Sequence, residues 1–131
     1  TQILNDVKSA SDISLIFTPH LVSMHRGIHT TLYTKLKASP DEIRDHYTNF
    51  YSHEKFVDVL SEGSYPETKA VKMTNMCNIA LHFSNDKPEQ LIILSVIDNL
   101  VKGAAGQAIQ NMNLMFDLDE ETGLVSSELN V

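Results

Sequence analysis

Three histidines and one arginine lie close together in the stretch TPHLVSMHRGIH. His20, His25 and His29 match no zinc-binding spacing, and no cysteine or carboxylate lies beside them, so we predict no metal site. Arg26 precedes Gly27, where the chain can bend, and its planar guanidinium suits a carboxylate or a phosphate. A surface salt bridge is the alternative role for Arg26.

The stretch IDNLVKGAAGQAIQNMNLMF, residues 97–116, predicts a helix with two glycines in its interior. Each of them, Gly103 and Gly106, costs a helix about 1 kcal/mol relative to alanine. They form no dinucleotide-binding fingerprint, because that motif opens a helix directly after a strand. The two glycines would allow either another helix or a flat ligand to pack closely against this helix. Asn99, at the N-terminal end, has an amide that can donate and accept hydrogen bonds.

The sequence contains two candidate nucleophiles, and neither is predicted to be catalytic. Cys77 opens an apolar strand, and buried cysteines mostly behave as small hydrophobic residues. Ser64 lies in GSYPET, which lacks the glycine that follows the serine of a nucleophile elbow. We therefore predict structural or loop positions for both residues.

Composition limits the class of protein. A chain of 131 residues with 42% hydrophobic content predicts a single domain, 1–131. Ten basic and seventeen acidic residues give a formal charge of -7, which opposes a nucleic-acid partner. The longest apolar run, at 91–97, is shorter than the roughly 20 residues that span a membrane, so we predict no membrane partner. One cysteine and no signal-type or transit-type start indicate a reducing, cytoplasmic location.

Hydrophobic patterning predicts the elements that position these residues. Apolar residues alternate with polar ones in RGIHTTLYTKL, at 26–36, which predicts a long, half-buried strand. Residues 2–10 read as the tail of a helix. Further strands are predicted at 12–21, 55–60, 68–73, 77–83 and 90–97, and a turn joins the last two into a hairpin.

Two helices complete the predicted fold. Ser39, Pro40 and Glu42 form a strong helix start, and this helix runs to about Tyr51. The terminal helix begins near Asp98 or Asn99, and its predicted core face consists of Val101, Ala104, Ala105, Ala108, Ile109, Met112, Met115 and Phe116. A surface tail follows Leu118. The predicted class is α+β, a mixed, mostly antiparallel sheet of five or six strands with helices packed on one face.

Four stretches, in order, carry a resemblance to a known family: FTPHLVSMHRGI, SYPETKAV, NMCNIALHF and SVIDNLVKGAAGQAIQNMNLMF. Together they resemble the C-terminal half of the N-acetyl-gamma-glutamyl-phosphate reductase family of arginine biosynthesis. The resemblance covers nearly the whole chain, and DNLVKGAAGQA is its most specific block. It implies a glyceraldehyde-3-phosphate dehydrogenase-like C-terminal domain for catalysis and dimerisation, and hence a homo-oligomer.

The resemblance also implies a reaction. An NADP-dependent enzyme of this family reduces a small-molecule acyl phosphate, N-acetyl-gamma-glutamyl phosphate, to N-acetyl-glutamate semialdehyde through a cysteine thioester. The family's reactive cysteine lies in a G-C-Y-P-type turn and its histidine in an H-R-H-x-P-E-I-like stretch, both upstream of the matched region. The resemblance therefore places no catalytic residue in this chain and implies that the chain alone is inactive.

Site residues follow from the same resemblance. Arg26, aided by His20, would face the anionic groups of the substrate. Asn99 would reach the carboxamide of NADPH, and Gly103 and Gly106 would leave clearance for the cofactor or a neighbouring domain.

The resemblance also implies how the chain would sit in a longer protein. The terminal helix, 98–118, would pack on an absent nucleotide-binding domain. Ser23 and His25 replace the proline and asparagine of the family's P-M-N-R-G stretch. A non-catalytic dimerisation or interaction module is the alternative function, and an organelle is the alternative location in a eukaryote.

Overall fold

A four-stranded sheet forms the centre of the computed structural model, which describes residues 14–84, 86, 87 and 89–124. The strands are β1 (Ile28–Lys35), β2 (Val57–Val59), β3 (Cys77–Phe83) and β4 (Gln90–Ile97), in the spatial order β1-β4-β3-β2. β4 pairs antiparallel with both β1 and β3, whereas β2 pairs parallel with β3. The predicted mixed, mostly antiparallel sheet and the 77–97 hairpin are confirmed, but the described residues form four strands instead of five or six.

Two of the predicted strands are wrong. Residues 14–21 have no regular structure, and Ile16 and Phe17 are 89% and 81% exposed, because no neighbouring strand among the described residues pairs with them. Residues 2–10 and 12–13 lie outside the described part of the chain. The stretch predicted as a strand at 68–73 forms a short 3₁₀ helix, Thr68–Val71, in the connection between the parallel strands β2 and β3. Only Val71 of this helix is buried.

β1 is a long strand, as predicted, but it is not half-buried. All eight of its residues are exposed, including Ile28 and Leu32. β1 is the edge strand of the sheet and pairs only with β4 among the described residues. Its alternating side chains are therefore exposed on both faces of the sheet.

The first α-helix, α1 (Pro40–Tyr51), confirms the predicted start. The Ser39 hydroxyl accepts a hydrogen bond from the Glu42 backbone N–H at 3.3 Å, and the Glu42 carboxylate accepts one from the Ser39 N–H at 2.9 Å. Tyr47 and Tyr51 pack against the core cluster on one face of the sheet, which is built on Ile79, Leu81 and Leu91.

The terminal helix begins later than predicted and with a wider turn. A π-helical turn, Val101–Ala105, precedes the second α-helix, α2 (Gly106–Met115). The Asp98 carboxylate accepts hydrogen bonds from the N–H groups of Leu100 at 2.8 Å and Val101 at 3.0 Å, at the start of this turn.

The predicted core face of the terminal helix is wrong. The buried residues of α2 are Gly106, Gln110 and Asn113, which share one face, whereas Ile109 and Met112 are exposed. The buried amides are hydrogen-bonded. Gln110 Oε1 accepts from Asn75 Nδ2 at 2.9 Å, and Asn113 Nδ2 donates to the carbonyls of Glu120 at 3.1 Å and Thr122 at 2.9 Å. Residues 119–124 thus fold back onto α2, while 125–131 lie outside the described residues.

Candidate functional site

Arg26 and Asp98 form a paired contact between the segment before β1 and the end of β4. Arg26 Nη2 donates to Asp98 Oδ1 at 3.1 Å, and Arg26 Nε lies 3.0 Å from Asp98 Oδ2. The Asp98 side chain is fully buried and that of Arg26 is 26% exposed. Asp98 therefore lies against one edge of the guanidinium, formed by Nε and Nη2, while Nη1 has no partner among the described residues.

Asp98 is the most heavily hydrogen-bonded carboxylate of this region. Besides Arg26, it accepts the N–H groups of Met73 at 2.7 Å, Leu100 and Val101. Burial alone would raise the pKa of the Asp98 carboxyl, but these N–H groups and the guanidinium lower it to about 2. Asp98 is therefore an anion at neutral pH, and it pairs with the Arg26 side chain.

Asn99 makes the second link between the same two segments. Its Oδ1 accepts a hydrogen bond from the Gly27 backbone N–H at 2.8 Å. An N–H can only donate, so the side-chain oxygen must face Gly27 and the amide nitrogen must point elsewhere. No hydrogen bond from Asn99 Nδ2 to another described residue occurs, and that nitrogen is available to donate to a ligand.

The structure thus brings the predicted substrate and cofactor residues together. Arg26 and Gly27 are adjacent in the chain, as are Asp98 and Asn99, and each residue of the first pair contacts one of the second. The predicted substrate-binding arginine and the predicted cofactor-binding asparagine therefore lie on two segments that are fastened to each other. Arg26 forms an ion pair, but its partner Asp98 is buried, so the surface salt bridge predicted as the alternative is wrong, and a ligand contact through Nη1 stays a prediction.

His20 lies on the exposed segment before β1. Its Nδ1 donates a hydrogen bond to the Thr18 carbonyl at 3.1 Å, and the residue is exposed. No hydrogen bond joins His20 to Arg26 among the described residues. A role for His20 beside Arg26 stays a prediction. Within those same residues, no three His, Cys, Asp or Glu side chains gather as a metal site.

The two glycines of the terminal helix have different surroundings. A Cβ atom added at Gly106 would lie 2.4 Å from Asn75 Oδ1 and 2.7 Å from Val101 Cγ1. The close approach at Gly106 is therefore made by this chain itself. A Cβ at Gly103 would meet only ordinary contacts of 3.4 Å or more, and Gly103 is exposed. Packing among the described residues does not require the second glycine, and cofactor contacts at either glycine stay predictions.

A depression opens beside Arg26. It has a volume of about 290 Å³ and is lined by Met24, His25, Arg26, Thr68, Lys69 and Lys72. The 3₁₀ helix forms the opposite wall, and it lies so close that a Cβ at Gly27, which has φ of 112°, would be 2.7 Å from Thr68 Cβ. Gly27 is therefore required by both its backbone conformation and this contact.

Sequence reasoning missed Asp98, Lys69 and Lys72 as members of this region. The sequence did carry a signal for Asp98, because acidic residues are favoured at the start of a helix and Asp98 is adjacent to the candidate ligand residue Asn99. Lys69 and Lys72 had none, because the pattern of their stretch predicts a strand. The Cys77 Sγ lies 3.4 Å from the Ser95 hydroxyl, and the structural role of Cys77 stays a prediction.

A family model for the semialdehyde dehydrogenase dimerisation domain matches residues 1–99. The chain belongs to the semialdehyde dehydrogenase family. Several relatives of the chain are named N-acetyl-gamma-glutamyl-phosphate reductase. The protein of that name from Acidithiobacillus ferrooxidans (strain ATCC 53993) is 51% identical over 97% of this chain, and the one from Laribacter hongkongensis is 54% identical over 86% of it. The predicted resemblance is confirmed.

The semialdehyde dehydrogenase fold is also found among solved structures. Aspartate semialdehyde dehydrogenase II from Vibrio cholerae matches 70% of this chain and 27% of its own with a TM-score of 0.55 at 15% identity. A probable aspartate-semialdehyde dehydrogenase from Pseudomonas aeruginosa matches 70% of this chain and 27% of its own with a TM-score of 0.56 at 20% identity. These likenesses confirm the predicted fold class.

The chain spans only about a third of the length of these relatives. It spans 37% of the Acidithiobacillus protein and 32% of the Laribacter protein. In the part of the chain that the structure describes, no helix is long and apolar enough to cross a membrane.

Proposed function

We propose that this chain is part of an NADP-dependent oxidoreductase that reduces N-acetyl-gamma-glutamyl phosphate to N-acetyl-glutamate semialdehyde in arginine biosynthesis. The observation that carries the proposal is 51% identity, over 97% of the chain, to a protein named for that reaction. The thioester-forming cysteine and the proton-transferring histidine belong to parts of the longer protein outside this chain. A cytoplasmic location, or an organelle in a eukaryote, accompanies the proposal.

The donor geometry of Asn99 fits the nicotinamide of such a cofactor. The Gly27 N–H occupies Oδ1, so Asn99 offers a donor, and the carboxamide carbonyl of nicotinamide is an acceptor. The exposed run Gly103–Ala105 next to it carries no side chain larger than a methyl group, which leaves room for a flat ring or a neighbouring backbone. When bound, the cofactor supplies the hydride.

Arg26 supplies positive charge for the substrate. Asp98 lies against the Nε and Nη2 edge of the guanidinium, so Nη1 is free, and guanidinium N–H groups favour carboxylate or phosphate oxygens. Because the Arg26 and Asn99 segments are linked, the anion and the cofactor would bind at a fixed separation.

The exposed side of the terminal helix supports its predicted packing on a nucleotide-binding domain. Ile109, Met112, Met115 and Phe116 are all exposed apolar residues of this segment. Such a patch on a stable protein marks an interaction surface, and the longer relatives have additional chain that would cover it.

A non-catalytic dimerisation module is the second candidate. The name of the matching family model and the open faces of β1 favour self-association. Light scattering of the full-length protein is expected to find a homo-oligomer, and a monomer at all concentrations would contradict this part of the proposal.

The test of catalysis uses the full-length protein that contains this chain. Phosphate-dependent reduction of NADP with N-acetyl-glutamate semialdehyde runs the proposed reaction in reverse, and NADPH absorbance reports it. NADPH formation that requires both phosphate and the semialdehyde supports the reductase. A correctly folded protein that forms no NADPH supports the non-catalytic module.

A further inference from the structure

The π-helical turn that follows Asn99 is attached at both of its ends to one short segment in the connection between β2 and β3. Before the turn, the Met73 N–H donates a hydrogen bond to the Asp98 carboxylate at 2.7 Å. After the turn, Asn75 Nδ2 donates to Gln110 Oε1 at 2.9 Å. The backbone of Asn99 therefore lies between two attachments to residues that are only two positions apart in the chain.

This turn is an unusual structure that depends on support from its surroundings. Its hydrogen bonds reach five residues back, from the Gly103 N–H to the Asp98 carbonyl at 2.9 Å and from the Ala105 N–H to the Leu100 carbonyl at 3.1 Å. Such turns are rare and frequently occur at functional sites. The supporting segment is itself strained, because Met73 has a φ of 63°, which is uncommon for a residue other than glycine. Strained backbone persists only where the surrounding contacts hold it.

Gln110 is the residue on which the supporting contacts converge. It is buried, and its Oε1 accepts two hydrogen bonds, one from Asn75 Nδ2 and one from Lys102 Nζ at 2.8 Å. Lys102 belongs to the π-helical turn, and its Nζ also lies 5.4 Å from the centroid of the buried Phe56 ring. One side-chain oxygen thus joins the turn, α2 and the segment that supports them.

The Asn75 side chain depends on Gln110 for its position. Its Oδ1 is buried and has no hydrogen-bond partner among the described residues, so the bond from Nδ2 to Gln110 is its one polar contact there. The same Oδ1 lies so close to Gly106 that an added Cβ would be 2.4 Å away. Without Gln110, the contact between Asn75 and the start of α2 would loosen, and the turn after Asn99 would lose its second attachment.

We propose that Gln110 is a positioning residue for cofactor binding, which holds the amide of Asn99 in place through the π-helical turn. The inference rests on the proposed function for the role of Asn99 as a donor to nicotinamide. The contacts between Gln110 and the turn are independent of that role. Because a hydrogen bond weakens when its donor is displaced, loss of Gln110 is expected to weaken the binding of NADP.

Kinetics of the full-length protein tests the positioning role. In the phosphate-dependent reduction, Gln110→Ala is expected to raise the KM for NADP about five-fold, because one hydrogen bond contributes up to about ten-fold in affinity. The KM for phosphate is expected to stay unchanged, since Asp98 keeps its contact with Arg26. Gln110→Glu still offers oxygens to Asn75 and Lys102 and is expected to restore the KM for NADP. An unchanged KM for NADP in Gln110→Ala would overturn the inference.

Asn113→Ala is the matched control. Asn113 is a second buried amide of α2, and it donates to the carbonyls of Glu120 and Thr122 but forms no hydrogen bond with the turn among the described residues. Asn113→Ala is expected to lower stability and to keep the KM for NADP. Equal rises of this KM in the two alanine variants would indicate a general loss of packing and contradict the positioning role. If Gln110→Ala does not fold, Lys102→Met removes one of the two bonds to Gln110, and an unchanged KM for NADP in this variant would overturn the inference.

Amide hydrogen exchange, measured by mass spectrometry, separates this inference from the proposed function. In peptides that cover 98–106, exchange is expected to be about ten-fold faster in Gln110→Ala and unchanged in Asn113→Ala, because local opening increases where supporting contacts are lost. If exchange increases but the KM for NADP does not, the inference is wrong even though the reductase is real. If the wild type forms no NADPH, the proposed function fails. Exchange alone then decides whether Gln110 holds the turn, and equal exchange in Gln110→Ala and the wild type would refute it.

Discussion

Replacing Asp98 with asparagine removes the buried charge and keeps the shape of the side chain. The asparagine amide would still offer one oxygen to the backbone, but it would pair poorly with Arg26 and with the three N–H groups that the carboxylate accepts. The pKa of Asp98 is lowered from 3.8 to about 2. Since one pKa unit corresponds to about 1.4 kcal/mol, Asp98→Asn is expected to lower the free energy of unfolding by about 2 kcal/mol at pH 7.

The pH dependence of this loss follows from the direction of the shift. A lowered pKa stabilises the folded protein above the unfolded-state value, near pH 4, and this contribution disappears as pH falls through the folded-state value, near pH 2. Urea denaturation of the full-length protein, followed by circular dichroism at several pH values, measures it. The wild type and Asp98→Asn are expected to differ most above pH 4 and to converge below pH 3.

A matched control separates the buried carboxylate from carboxylates in general. Asp58→Asn changes an exposed aspartate in β2 that forms no ion pair with another described residue, and its unfolding free energy is expected to match the wild type. Equal stability of Asp98→Asn and the wild type at pH 7 would refute the conclusion that Asp98 holds Arg26 as an anion. A difference that persists undiminished at pH 2 would refute the electrostatic origin of the effect.

Five further substitutions, at four positions, test other contacts. Gly106→Ala is expected to lower the free energy of unfolding by about 2 kcal/mol in urea denaturation, since its Cβ would lie 2.4 Å from Asn75 Oδ1, whereas Gly103→Ala is expected to preserve it and to raise the KM for NADP. Equal effects of the two changes on stability would contradict this distinction. Asn99→Ala and Asn99→Asp both lose the amide donor and are expected to raise the KM for NADP about ten-fold, although aspartate still accepts the Gly27 N–H. A normal KM in Asn99→Asp would exclude the donor role. Ser39→Ala removes the cap of α1 and is expected to cost about 1 kcal/mol in thermal denaturation, and an unchanged midpoint would count against the capping box.

Local signals predicted the parts of the fold that depend on neighbouring residues. The bounds of β3 and β4 are as expected, because both strands lie inside the sheet and most of their residues are apolar, with several β-branched residues in β4. The start of α1 is also as expected, since a capping box is closed within four residues. Its residues need no distant partner to form this structure.

The errors arise where distant residues decide the outcome. The apolar run at 14–21 predicts a strand, but a strand requires a partner, and no described residue pairs with it. α2 buries Gln110 and Asn113 because Asn75 and the segment around Glu120 supply hydrogen bonds, and periodicity of apolar residues cannot detect such partners.

In the candidate site, too, local features could be predicted and contacts between distant residues could not. Residue types and the family resemblance indicate Arg26 and Asn99, but the link between their segments joins positions 72 residues apart. No local pattern predicts that Asp98 would pair with the guanidinium or that Lys69 and Lys72 would line the same depression as Arg26. The chemistry of single residues could be predicted from the sequence, whereas their arrangement needed the fold.

In the proposed function, this chain shapes the substrate and cofactor site of an NADP-dependent reductase. The most direct measurement is the rate of phosphate-dependent NADP reduction with N-acetyl-glutamate semialdehyde, for the full-length wild type and for Arg26→Lys. Arg26→Lys keeps the charge and loses the planar fork that Asp98 holds. We expect NADPH formation by the wild type and a kcat/KM for the semialdehyde reduced at least ten-fold in the variant. No NADPH formation by the folded wild type, or an unchanged kcat/KM in Arg26→Lys, would contradict the claim.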